Sequence, residues 1–220
     1  VDLPGLGSVA IRDIFIANAS ELKLVGLKKL ESVKIGRNCF AKESGVLEVV
    51  DCPAMTRLSI GDGSMRHFHS FVAKCLPCLA SISVGNECFK NVDEVELVGL
   101  SELKSVVVGM NSFTKRISEE DDPKQTVLDL SESEGVVIGE NGFTKETIDE
   151  GGDSNRHFYL KSCPSLRELR IGRYSFSDYS VCEIKNVDAL EVIEIGDLNE
   201  LSNNFDSASL VLKSILIHSE

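Results

Sequence analysis

The chain has no tryptophan, three tyrosines and only five prolines among its 220 residues. Ten phenylalanines supply most of the aromatic content, so an aromatic core here is built from one kind of side chain. No stretch approaches 18 consecutive apolar residues, which excludes a transmembrane helix and makes membrane insertion an unexpected function. A basic start followed by an apolar leader is missing as well. The first residue is Val1 rather than methionine, and we expect a processed piece of a longer protein. Positive charge is also scarce: 23 Lys and Arg stand against 35 Asp and Glu, for a net charge of −12. Binding to phosphate chains needs the opposite balance, so neither nucleic acid nor an anionic lipid surface is an expected partner. Apolar residues, at 42%, are present in ordinary amount and suffice for a core in a chain of this length.

A phrase recurs along the chain. Leu30-x-x-Val33-x-Ile35-Gly36-x-Asn38-x-Phe40 has counterparts starting at Met55, Leu79, Leu103, Ser133, Leu166 and Leu190. The glycine falls at 36, 61, 85, 109, 139, 172 and 196, a basic period of about 24 residues with two longer units. A degenerate copy begins at Leu3 and runs through Leu6, Val9 and Ile11. Another is read at Leu212, Ile215 and Ile217, which makes nine rungs. Each unit has a second half in which two alternating apolar residues precede Leu, Val or Cys. Leu47-x-Val49-x-x-Cys52 and Phe158-x-Leu160-x-x-Cys163 are examples. Alternation of period two predicts an extended segment there rather than a long helix.

This pattern resembles the leucine-rich-repeat family, and the resemblance covers essentially the whole chain. The β-rich, Phe- and Cys-containing second half looks loosely like the BspA-like subgroup. The resemblance implies one solenoid domain over residues 1–220, nominally an α/β horseshoe but here with little helix. It also implies a right-handed coil with a parallel sheet on one face. Nine strands at about 4.8 Å make a ladder of roughly 40 Å.

Stacking physics gives further expectations. Val33 and Ile35 point inward and the residues between them outward, because strand side chains alternate. The Phe column at 40, 89, 113, 143 and 176, with Met65, forms an aromatic spine. Asn38, Asn111 and Asn141 bond backbone groups of adjacent rungs. The glycine after each strand permits a tight departure into the corner. Rung five, with Ser133 in the Leu slot, is the expected place for a kink.

Two adjacent units carry acidic inserts at equivalent positions, near 118–125 and 147–155. They form either a paired acidic lip for a basic partner or a hard cation, or two solvated loops. The seven cysteines include Cys75-x-x-Cys78, which invites a redox or zinc reading. It coincides with a repeat corner, however, and no second pair or His67, His69, His157 or His218 falls at ligand spacing. Cys52, Cys163 and Cys182 occupy inward slots, where the thiol acts as a small hydrophobe. Unpaired core thiols favour a reducing compartment, with surface display left open. No nucleophile, metal or phosphate motif appears, so neither enzyme activity, a cofactor, a metal nor a small-molecule substrate is expected.

The resemblance places binding on the outward face of the first-strand ladder. Its central column reads Lys34, Ser59, Ser83, Val107, Val137, Arg170, Glu194. Val107, Met110 and Val137 form an apolar island there, with Arg167, Arg170 and Arg173 on the next rung. Apolar residues beside arginine have the composition of a binding hot spot, although valine also simply suits a strand. The expected function is protein recognition by a rigid scaffold. The alternative is a structural or adhesive array within a larger surface protein.

Overall fold

Each repeat folds into two short strands joined by sharp corners, and like strands of successive repeats stack in parallel. The computed structural model describes residues 3–114, 127–128, 134–144, 153–161, 163, 165–197, 199–206 and 208–213. The first strands form one eight-stranded sheet. It contains β1 (Ser8–Ile11), β3 (Ser32–Ile35), β5 (Arg57–Ile60), β7 (Ser81–Val84), β9 (Ser105–Val108), β11 (Gly135–Ile138), β13 (Glu168–Ile171) and β15 (Val192–Ile195). On the other face lie β2 (Glu21–Val25), β4 (Gly45–Val50), β6 (Phe68–Lys74), β8 (Glu94–Val98) and β10 (Val127–Leu128) in one sheet. A separate sheet holds β12 (Asp153–Lys161), β14 (Tyr179–Lys185) and β16 (Ser209–Lys213). The result is a parallel β-solenoid of about seven turns. Among the described residues there is no helix, so the alternating second half of the repeat is strand throughout.

Register explains two differences from the sequence reading. Leu212 lies in β16 and pairs with Ile184, as Leu210 pairs with Cys182. The closing copy is therefore the second half of the eighth repeat, not the first strand of a ninth. Ile215 and Ile217 lie outside the described residues. Nor does the first sheet shift at rung five: Gly135 pairs with Ser105 on one side and Glu168 on the other. Register shifts occur instead in the second-strand sheets, between Gly45 and Val46 and between Asp153 and His157. The inserts fall largely outside the described residues, but 153–155 already belong to β12.

The core between the sheets is apolar. Val33, Ile35, Leu58, Ile60, Leu169 and Ile171 are buried from the first sheet, and Leu47, Val49, Cys182 and Ile184 from the second. The expected aromatic spine is present. Phe89 stacks on Phe113 at 4.9 Å, Phe113 on Phe143 at 4.9 Å, Phe143 on Phe176 at 5.3 Å and Phe176 on Phe205 at 5.2 Å.

These rings sit on backbone that L-residues avoid. In each corner that follows a first strand, two residues separated by one have positive φ, as in Asn38 and Phe40, Glu87 and Phe89, Asn111 and Phe113, and Tyr174 and Phe176. Asn tolerates this left-handed region, but Phe does not. The strain is about 1–2 kcal/mol per residue, while burying a Phe ring returns about 1.5–3 kcal/mol. The two contributions are of similar size.

After the first turn, the residue between each such pair is Cys39, Ser64, Cys88, Ser112, Gly142, Ser175 and Asn204, buried in all but the last. Everywhere but at Gly142, a side chain there bonds the preceding turn. Ser64 Oγ donates to Gly36 C=O at 2.7 Å, Ser112 Oγ to Gly85 C=O at 2.8 Å and Ser175 Oγ to Gly139 C=O at 2.8 Å. Cys88 Sγ donates to Gly61 C=O at 3.4 Å in the same way.

Two local mechanisms differ from expectation. The repeated glycine is required by crowding rather than by φ, which is positive only at Gly196 in this column. A Cβ at Gly109 would lie 2.5 Å from Gly85 C, and one at Gly172 would lie 2.5 Å from Glu140 N. Neighbouring turns touch backbone to backbone there. Two of the Asn side chains bond neighbouring side chains rather than the backbone: Asn141 Nδ2 donates to Asn111 Oδ1 at 2.9 Å, and Asn111 Nδ2 to Glu87 Oε1 at 2.8 Å. Lys90 also donates to Glu87 at 3.0 Å. That ammonium first, and then the Asn111 amide, hold the Glu87 carboxyl below its ordinary range. Side-chain contacts to the next turn's backbone come from the residue after the glycine, as in Asp62 Oδ1 accepting from Asn86 N–H at 2.8 Å.

Candidate functional site: the ladder face

The outward side of the first sheet is a regular grid, because each strand is in register with the next. The central column of the sequence reading runs unbroken from Lys34 through Ser59, Ser83, Val107, Val137 and Arg170 to Glu194. Polar and small side chains occupy its first half. Charged ones occupy the last two turns.

Between these zones lies the apolar island. Val107 on β9 is 40% exposed and Met110, in the corner that follows, is 46% exposed. Val137 on β11 pairs directly with Val107 and is half-buried. Asn86 Oδ1 accepts the Met110 backbone N–H at 2.8 Å and so fixes the corner that presents its side chain. The island thus stands on rigid backbone rather than on a loose loop.

Arg167, Arg170 and Arg173 belong to the turn that follows Val137, where Arg170 pairs with it, and each is engaged with a carboxylate. Arg167 Nη1 lies 3.0 Å from Glu191 Oε1. Arg170 bonds both Glu168 and Glu194, and those carboxylates hold its guanidinium above the ordinary value, Glu168 most strongly. Arg173 lies 3.0 Å from Glu140 Oε1 and also meets Glu200. The partner acids went unrecognised in the sequence, yet a signal exists: opposite charges recur 24 residues apart, as in Arg167 with Glu191 and Arg170 with Glu194. Asp13 and Arg37 follow the same spacing at 2.8 Å. Alternating charge along the stacking axis favours the correct pairing of turns over a slip by one.

The corner of the last turn differs from the others. Asp197 does not continue the column of Met110, Glu140 and Arg173. Asn141 N–H donates to Arg173 C=O, and Tyr174 N–H donates to Ser202 C=O in the equivalent bond. Ser202 therefore fills that place, five positions further from Gly196 than Arg173 is from Gly172.

Among the described residues, the other candidate positions do not assemble into a chemical site; His157's side chain, His218 and most of both acidic inserts lie outside them. Cys75 and Cys78 are exposed, and Cys75 stands at a second-strand corner with positive φ. It borders an open furrow of about 370 Å³ with Lys28, Asp51 and Pro77. Cys52, Cys163 and Cys182 are buried in the core, matching their inward assignment. His69 Nδ1 lies 3.2 Å from Ser44 Oγ on an open surface. Among the described residues, no three His, Cys, Asp or Glu side chains converge as metal ligands. The apolar void between the sheets, near Phe71, Val108 and Phe113, measures about 20 Å³, little more than one water probe.

Comparison with known proteins finds no matching family model, curated protein or solved structure, so the repeat pattern and the geometry of this face carry the functional reading alone.

Proposed function

We propose that this chain is a non-enzymatic recognition scaffold of the leucine-rich-repeat type. It binds a protein partner across the first-sheet face, with Val107, Met110 and Val137 as apolar anchors and Arg167, Arg170 and Arg173 beside them. The observation that carries this reading is the exposed pair Val107 and Met110 on an in-register, eight-stranded sheet. An apolar island on rigid backbone binds with little ordering cost, because its geometry exists before the partner arrives. The engaged arginines act as a polar rim, where charges contribute to partner choice and approach more than to affinity. The family reading rests on the period, the L-x-x-L-x-L spacing and one sheet built from the strand of every repeat. The BspA-like reading rests on strand in the second half together with the Phe column.

The test is a crosslinking pull-down comparing wild type with a Val137→Glu, Arg170→Glu double variant, each verified as folded by circular dichroism. Capture of a partner by wild type and its loss in the variant supports recognition at this face. Equal capture by both removes the face from consideration. The alternative, a structural array within a larger surface protein, draws on the uncovered apolar residues of the last turn, Ile193 and Leu210 among them.

A further inference from the structure

Charge on the first-sheet face is satisfied in one half and left open in the other. In the later turns Lys104 lies 3.4 Å from Glu134 and Arg167 3.0 Å from Glu191, while Arg170 meets Glu194 and Arg173 meets Glu140. The earlier turns differ. Lys34 on β3 and Arg57 on β5 are both exposed, and among the described residues neither side chain has an ion-pair or hydrogen-bond partner. Asp13 is close enough to feel the charge of Lys34, but it is committed elsewhere. Its Oδ1 accepts the Arg37 N–H at 2.7 Å and its Oδ2 lies 2.8 Å from Arg37 Nη2. Asp62, one turn beyond Arg37, accepts the Asn86 N–H at 2.8 Å.

Register makes the two unpaired cations neighbours. Ser32 aligns with Arg57 and Lys34 with Ser59, and the next strand adds Ser81 and Ser83. Lys34 and Arg57 therefore stand on a diagonal, about 8 Å apart at the backbone, so their long side chains can converge on one acid group. Ser32, Ser59, Ser81 and Ser83 surround them, and among the described residues none of these hydroxyls has a protein partner. In a chain of net charge −12 such a patch is the exception. It covers two strands, with Asp13 and Asp62 at its side, which suits a short acidic group and repels a long polyanion.

The distance to the apolar island sets the layout of what binds. From midway between β3 and β5 to midway between β9 and β11 is three strand spacings, about 14 Å, which about four residues of extended chain cover. We infer, resting on the proposed use of this face for recognition, that the partner docks as an acidic segment. Its Asp or Glu side chains meet Lys34 and Arg57, and an apolar residue about four positions away sits on Val107, Met110 and Val137. The serine hydroxyls donate to the remaining carboxylate lone pairs. The arginines beyond the island are already neutralised, so the attraction is one-sided and fixes the direction in which the segment runs.

The experiment selects a randomised dodecapeptide library displayed on phage against the full chain. Fluorescence anisotropy of the synthesised consensus peptide then compares wild type with a Lys34→Glu, Arg57→Glu variant and a Val137→Glu variant, each verified as folded by circular dichroism. A milder Lys34→Gln, Arg57→Gln variant carries the comparison if charge reversal disturbs folding. The expected consensus places Asp or Glu about four positions from an aliphatic or aromatic residue. Charge reversal is expected to weaken the peptide at least tenfold and to flatten its salt dependence, and the glutamine variant to weaken it at least threefold. A consensus without acidic residues overturns the inference. So does an affinity that survives the changes at 34 and 57 but is lost in Val137→Glu, and in that case the face keeps its recognition role. Affinity that survives all the variants, or no enriched peptide, removes the face reading and the inference with it. Binding of a fluorescent oligodeoxynucleotide that charge reversal abolishes, with no acidic peptide enriched, overturns the inference in favour of a polyanion.

Discussion

Ser64 Oγ accepts the buried backbone N–H of Cys39 at 3.0 Å, one turn away, while its own proton goes to Gly36 C=O at 2.7 Å. The same relay links Ser112 to Cys88 and Gly85, and Ser175 to Gly142 and Gly139. One small hydroxyl thus satisfies a donor and an acceptor that the paired left-handed corner leaves inside the core.

Ser112→Ala should therefore cost more than its small volume suggests. It strands Cys88 N–H and Gly85 C=O away from water, a penalty of about 1–3 kcal/mol. Cys88→Ser, which places in one turn the residue that Ser64 and Ser112 supply in others, should cost less. Urea unfolding midpoints of the two variants decide the point. Equal loss in both would mean the slot is governed by volume rather than by hydrogen bonding.

The glycine column separates two kinds of glycine. Gly109→Ala puts a methyl 2.5 Å from Gly85 C, and the turns must move apart. Gly135 has open space around its Cβ position and no positive φ, so Gly135→Ala should be neutral or stabilising by about 0.4–1 kcal/mol. Thermal melts should show Gly109→Ala well below wild type and Gly135→Ala at or above it.

Phe113 lies between Phe89 and Phe143 at 4.9 Å from each. Phe113→Ala removes both contacts and opens a cavity beside the existing void, for a loss of about 3–5 kcal/mol. Because stability in a solenoid is largely a sum of turn and interface contributions, the damage should concentrate near that turn. Hydrogen exchange should rise most in β9 and β11. Uniform loss of protection along the chain would contradict the picture.

Thiol chemistry should report the same burial. Burial pushes the Cys88 thiol up to about 12 and the Cys182 thiol up to about 11, from an ordinary 9.0. Only Cys75 and Cys78 are exposed among the seven cysteines, so a native titration with a thiol reagent should show two fast thiols and release the rest on unfolding. The raised values also set a pH dependence. Below pH 9 both thiols are protonated in either state and their contribution is complete. As pH climbs from 9 toward 12, the unfolded chain ionises first and folding stability falls. A Cys88→Ser, Cys182→Ala variant should lose less stability between pH 8 and 10.5 than wild type does.

The architecture was legible in the sequence because stacking demands repetition. A residue pair such as Val33 and Ile35 returns every turn, and the inward alternation followed from strand geometry alone. The Phe column and the inward cysteines were legible for the same reason. Val107, Met110 and Val137 could be placed on one face by counting, and the structure puts them there.

What counting does not supply is the distance between turns. Gly36, Gly61 and Gly85 look like turn residues in sequence, yet their role is decided by backbone from the previous turn, about 24 residues away. Asn111 looks like a backbone cap, but its nearest acceptor is Glu87 on the adjacent turn. The carboxylates around Arg167, Arg170 and Arg173, and the place of Leu212 in the second sheet, likewise depend on which turn lies beside which. The sequence by itself determined a repeating strand ladder with an aromatic core, because periodic burial is a one-dimensional pattern. The close backbone approach, the charge pairing and the place of Leu212 in the second sheet belong to the tertiary structure, because each is a contact between residues distant in the chain that no local pattern encodes.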